Sequence, residues 1–236
     1  MEVLYEDNHL IAVNKACGEI VQSDKTGDET VMDIVKSYLK KKYNKKGNVY
    51  LGLPHRLDRP TSGILLLAKT SKALPRLNKL FQSKSAVKKT YWAVVDNRPP
   101  KLEDTLVHYL IKNQEKNRSY GYLTKRGNAK MASLTYRHVA SIKNYHLLEI
   151  ELHTGRHHQI RVQLRQLKLH IKGDVKYGFP RPNTNKGIHL HARKIELQHP
   201  VRNNMLTIIA NPPEDAVWNA FMDIFHAGKF SPVQMV

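Results

Sequence analysis

Asp58 is the one carboxylate in the segment 53–69, LPHRLDRPTSGILLLAK, and it stands between Arg56 and Arg59. Positive charge nearby favours the ionised form of a carboxylate, so this group suits a nucleophile or an anchored charge better than a proton donor. A structural Arg/Asp ion pair before a strand has the same local sequence. Two further residues extend the chemistry: Tyr91 in KKTYWAVVD and Arg161 at the end of HTGRHHQIR. A carboxylate, a phenol and a guanidinium can together attack an electrophilic carbon, manage one proton and hold charge. Other site types fail on spacing. There is no Gly-x-x-x-x-Gly-Lys-Ser/Thr string to wrap phosphates and no Gly-x-Ser-x-Gly turn around Ser62. His153, His157 and His158 cluster, with His189 and His191 further on, but no Cys pair or helical His-Glu-x-x-His accompanies them and basic neighbours would repel a cation. The reading is of a site without metal.

The bulk composition names a class of partner. In 236 residues there are 39 Lys plus Arg against 20 Asp plus Glu, a formal charge of +19. The basic residues are spread along the chain and not gathered in a tail, as expected of a folded surface that tracks a phosphate backbone. RNA or DNA is favoured over an acidic membrane, because no segment carries an apolar face wide enough to insert. The histidine cluster can then be hydrogen-bonded or in contact with RNA. With 41% apolar residues the chain can bury a sizeable core. No run reaches the roughly 18 residues of a membrane span, and MEVLYEDNHL has no leader character, so a cytoplasmic protein is expected. Cys17, the single cysteine, has no partner for an internal disulfide.

These residues need elements to hold them. Residues 3–5 and 10–13 read as strands around a turn at 6–8. From Thr30 the positions Val31, Ile34, Val35, Tyr38 and Leu39 share one helical face, and the helix ends in a lysine run that complements its dipole. Residues 64–68 form a continuous apolar run suited to a strand buried on both faces. A helix follows with Leu74, Leu77, Leu80 and Phe81, capped from Thr70 or Ser71. In the strand 88–96, Tyr91, Ala93 and Val95 share a face, so Tyr91 points into the core or into a cleft. Residues 113–128 are polar, basic and Gly-interrupted, a mobile loop or hairpin tip able to clamp RNA. Strands are expected at 131–140, 145–152, 188–197 and 206–210, a short helix around Ile160 and Leu164, and a last helix opened by Pro213. No element is assigned to 101–112. Strands joined largely by turns argue for an α+β fold, a mixed, mainly antiparallel sheet flanked by helices, in a single domain over 1–236.

HRLDRPTSG at 55–63, KTYWAVV at 89–95, TGRHHQIR at 154–161, GDVKYG at 173–178 and LHA at 190–192 resemble, in order, the signatures of the RluA family of RNA pseudouridine synthases. LYEDNHLIAVNK resembles that family's first strands. The resemblance implies a catalytic domain of the pseudouridine synthase type that isomerises uridine in ribosomal or transfer RNA without cofactor or metal. It implies that Asp58 is the catalytic aspartate, attacking C1′ of the ribose or C6 of the base. Tyr91 is then the active-site tyrosine and a candidate for removing the C5 proton, and Arg161 the basic residue that pairs with the aspartate. Arg56 helps hold the target nucleotide out of its helix, and His55, Arg59, Arg156, His157 and Gln159 are further RNA-binding candidates. Extrusion costs a few kcal/mol, since the reacting atoms are closed off inside a stack.

Two departures stand out. Lys15-Ala16-Cys17-Gly18 replaces the family's common Lys-Pro-x-Gly, and Pro60 follows HRLD-Arg where a polar residue is frequent. The chain is expected to begin at the catalytic domain, without an additional N-terminal RNA-binding module, and to act as a monomer. The rival class is an RNA-binding or assembly factor that kept the fold; the intact Asp58, Tyr91 and Arg161 count against it.

Overall fold

The computed structural model describes residues 1–23, 27–83 and 85–230. In chain order the elements are β1 (Glu2–Glu6), β2 (Leu10–Lys15), α1 (Val31–Lys42), β3 (Ser62–Ala68), α2 (Ala73–Gln82), β4 (Val87–Val95), β5 (Glu103–Asn113) and β6 (Arg118–Tyr122). They continue with β7 (Lys130–Ile142), β8 (Tyr145–Leu152), α3 (Gln159–Gln166), β9 (Leu190–Gln198), β10 (Met205–Ile209) and α4 (Ala216–His226). The chain divides into two compact units, Met1–Lys88 with Ala192–Asn211 and Lys89–His191 with Pro212–Val236.

In the first unit β1, β2 and β3 form an antiparallel ladder, and β10 pairs antiparallel with β9. β3 is buried along its whole length. Ile64, Leu66 and Ala68 pack with Leu10, Ala12, Leu77 and Ile195, while Leu65 and Leu67 turn the other way, against Ile11, Val13, Val35 and Leu39. That two-sided burial is what an unbroken apolar run requires. α1 starts where expected because Thr30 and Asp33 make a reciprocal capping box. α2 differs slightly: Lys72 occupies the cap position, and Thr70 Oγ1 accepts the Ala73 N–H at 3.2 Å.

The second unit runs β4-β8-β7-β5-β6, every neighbour antiparallel. α3 packs one sheet face, where Ile160 and Leu164 meet Ala93, Leu134, Tyr136 and Ile150. α4 packs the other, where Trp218 and Phe221 meet Trp92, Val94, Val139 and Leu147. The alternation expected in β4 is therefore present, with Tyr91, Ala93 and Val95 on the α3 side. The class is α+β with mainly antiparallel strands, as the sequence implies.

Three local expectations need correction. The unassigned stretch 101–112 carries β5, eleven residues long. Of the two readings of 113–128 the hairpin tip holds and the loop does not: the segment carries the tip at 114–117 and β6, paired to β5 from Tyr109↔Tyr122 to Asn113↔Arg118. α4 begins at Ala216 and not at Pro213, because the Asp215 carboxylate accepts the N–H groups of Val217 and Trp218, both at 2.9 Å.

Candidate active site

Asp58 lies in the first unit, and Tyr91 and Arg161 lie in the second. In the first unit Asp58 is half-buried, four residues before β3. Its carbonyl accepts the Thr61 N–H at 3.0 Å, so Arg59 and Pro60 are the middle of a closed turn. Beyond it Gly63 takes φ +112°, and a Cβ there would fall 2.4 Å from the carbonyl oxygen of Ala192. Glycine is required at that approach. The upstream arm is fixed too: His55 Nε2 accepts the Leu66 N–H at 3.0 Å, and its ring stacks on Phe81 with centroids 4.6 Å apart.

The flanking arginines separate in role. Arg59 points away to Gly18 and Asp28, with Nη2 2.7 Å from Asp28 and Nε donating to the Gly18 carbonyl at 3.0 Å. Arg56 is exposed and makes no hydrogen bond among the described residues. A buried lysine adds positive charge on the inner side of the turn. Lys15 is 1% exposed, and its Nζ donates to the carbonyls of Ala16, Glu19 and Arg59 at 2.8, 2.9 and 3.1 Å. It thus ties the end of β2 to the turn that carries Asp58. Burial lowers its pKa to about 8, against the opposing pull of Cys17, Glu19 and Asp58.

In the second unit Tyr91 is half-buried, opposite Ile150 of β8. Lys89 precedes it by two residues on the same strand face, and burial lowers its pKa. Arg161 is 5% exposed on α3. Its Nε and Nη2 each donate at 2.7 Å to the two oxygens of Asp174, itself 1% exposed. Its guanidinium lies 4.8 Å from the centroid of the Tyr177 ring. A planar guanidinium held by a two-pronged carboxylate and an aromatic face has one orientation.

The TGRHHQIR stretch builds the seat for that arginine. Gln159 is 3% exposed, and its side chain accepts from Thr154 Oγ1 at 2.7 Å and Arg156 N at 3.0 Å and donates to the Ser133 carbonyl at 3.0 Å. It locks the turn before α3. Arg156 is exposed, with Nε on the Met131 carbonyl at 3.1 Å. His157 lies 2.8 Å from Ser119 Oγ and stacks on His158 with centroids 3.7 Å apart. His158, at φ +54°, places Nδ1 2.8 Å from the Tyr177 hydroxyl. Burial, reinforced by Arg161, pushes the pKa of His158 far down, so it stays neutral. Asp174, Tyr177 and Lys15 are positions to which sequence reasoning assigns no role. The available signal for the first two was a lone carboxylate and a tyrosine in the quoted GDVKYG string.

Comparison with known proteins bears on the family and the fold. The family model described as RNA pseudouridylate synthase matches residues 9–166. A tRNA pseudouridine synthase C of Pectobacterium carotovorum subsp. carotovorum is 33% identical over 247 residues, covering 95% of this chain and 62% of the relative. A ribosomal large subunit pseudouridine synthase D of Zymomonas mobilis subsp. mobilis is 31% identical over 229 residues, covering 91% of this chain and 70% of the relative. The chain thus spans less than two thirds of the length of the first of these. The fold is that of human RNA pseudouridylate synthase domain containing 4, with a TM-score of 0.77, 24% identity, and 93% of this chain and 92% of that one covered.

Proposed function

Because this chain belongs to the RNA pseudouridylate synthase family, we propose that it isomerises uridine to pseudouridine in structured ribosomal or transfer RNA, with Asp58 as the nucleophile. The observation that carries this reading is that Asp58, Tyr91 and Arg161 all fall inside the matched span 9–166. The target uridine swings out of its stack, at a cost of a few kcal/mol, and Arg56 helps to hold it there. The Asp58 carboxylate attacks C1′ of the ribose or C6 of the base. The N1–C1′ bond breaks, the base turns, C5 bonds to C1′, and the bond between Asp58 and the nucleotide breaks, which returns the free carboxylate. Tyr91 takes the proton that leaves C5, and N1 ends protonated, so atoms balance without redox chemistry or a cofactor. Arg161 stabilises the aspartate in its charged form. The same reading takes 1–236 as one catalytic domain, a monomer acting on RNA in the cytoplasm. Among the described residues no helix is long and apolar enough to cross a membrane.

The test is tritium release from RNA carrying uridine labelled at C5. Asp58→Asn should abolish release while leaving RNA affinity largely in place. Undiminished release by that variant refutes the assignment of Asp58.

A further inference from the structure

The β5–β6 hairpin has two unlike faces. Its inner face is closed by α3: a Cβ on Gly121 would lie 2.9 Å from Val162 Cγ1 and 3.2 Å from Gln166 Nε2. Leu110 and Ala132 pack with Val162 and Tyr177 on that side. The outer face carries Tyr109 opposite Tyr122, Ile111 opposite Tyr120, and Met131 opposite Tyr109. Val107 continues the stripe at 47% exposure and Met131 is 40% exposed. Among the described residues, none of these six belongs to a packed core. The cover that α4 gives the same sheet face lies further across, over Trp92, Val94, Val139 and Leu147. A polar band containing the Arg137–Glu149 ion pair and the Thr105–Thr135–His153 hydrogen bonds lies between the two regions.

We infer that this outer face is a stacking platform for unpaired bases of the RNA substrate. The inference rests on the proposed function and adds to it a second surface, on the opposite side of the sheet from Tyr91. Charge selects RNA over a protein partner. Residues 105–133 hold six basic side chains and one acidic, Glu115. Arg126 lies 4.7 Å from the Tyr122 ring centroid. Protein interfaces are depleted in lysine at their centres, whereas tyrosines interleaved with arginine on an open sheet match the way single strands are bound, rings under bases and cations along phosphates. The platform tolerates any base, because each has a π-face, and it therefore supplies affinity and not choice of uridine.

Fluorescence anisotropy with a labelled oligouridylate of about 12 nucleotides, a length within the usual range for such surfaces, reads the platform directly. Replacing Tyr120 and Tyr122 together by Ala should weaken binding about 10- to 100-fold, whereas replacing both by Phe, which keeps the rings, should leave it within about twofold. The dependence on salt should keep its slope, since phosphate contacts are retained. Cross-linking the unaltered protein to oligouridylate containing 4-thiouridine guards against a folding defect in the Ala variant, and should label peptides from 107–126. Unchanged affinity of a folded Ala variant, or cross-links confined to other peptides, overturns the inference and leaves the face to a protein partner. Tyrosine-dependent binding by a wild-type protein that releases no tritium would instead uphold the platform and refute the proposed catalysis.

Discussion

Arg161 and Asp174 form a buried two-pronged ion pair, with both N–O distances 2.7 Å and exposures of 5% and 1%. Breaking such a pair strands a charge in the interior. Asp174→Asn should lower unfolding free energy by about 3 kcal/mol in urea titrations and reduce turnover together with it. Replacing both partners by apolar residues, Arg161→Met with Asp174→Leu, should recover most of that stability and none of the turnover.

Tyr177 serves the same arginine by its ring and the β6 strand by its hydroxyl, which accepts the Ser119 N–H at 2.8 Å. Tyr177→Phe should keep the ring over Arg161 and cost about 1–2 kcal/mol for the lost hydroxyl bonds. Tyr177→Leu removes the ring as well, and single-turnover rates should fall further than for the Phe variant at equal RNA saturation.

Lys15 makes stability depend on pH. Its folded pKa, about 8, lies below the ordinary 10.5, so between those values the unfolded chain binds more protons. Stability from this group therefore rises with pH across roughly 8 to 10.5 and is flat below. The full span corresponds to roughly 3 kcal/mol. Urea titrations of wild type and Lys15→Met at pH 7 and pH 10 should show the wild type gaining on the variant at the higher pH. A constant difference would mean that Lys15 titrates normally.

Gly63→Ala should be among the most damaging changes in the first unit. At φ +112° the added methyl meets the Ala192 carbonyl at 2.4 Å, and strain with backbone displacement should cost more than about 3 kcal/mol. Gly228→Ala is the comparison: φ is +66° and nothing lies within 4 Å of the added Cβ. It should cost about 1 kcal/mol, read from thermal melts.

Tyr91→Phe keeps the ring on the α3 side of β4 and removes the phenol. If the phenol takes the C5 proton, single-turnover rates should drop by about 100-fold or more with RNA affinity unchanged. A rate within threefold of wild type would transfer that role to another group.

How much of this could be read in the sequence depends on how far each feature reaches. The helix from Thr30 with its shared apolar face, the two-sided burial of 64–68 and the shared face of Tyr91, Ala93 and Val95 follow from neighbours a few residues apart, and the sequence alone determined them. So did the ordered motifs that carry the family. β5 escaped because TLVHYLIK shows no clean alternation until a sheet exposes one side of it. The partners of charged groups escaped for a different reason. Asp58 has Arg59 beside it in sequence, yet the backbone turn sends that guanidinium to Asp28, 31 residues away, and places the Lys15 ammonium on the Arg59 carbonyl, 44 residues away. Arg161 takes Asp174, and Tyr177 reaches Ser119 across 58 residues. Only the tertiary structure decided these pairings, because charges and hydroxyls bond to whatever polar group the folded backbone brings within hydrogen-bond reach, and sequence adjacency has no part in that choice.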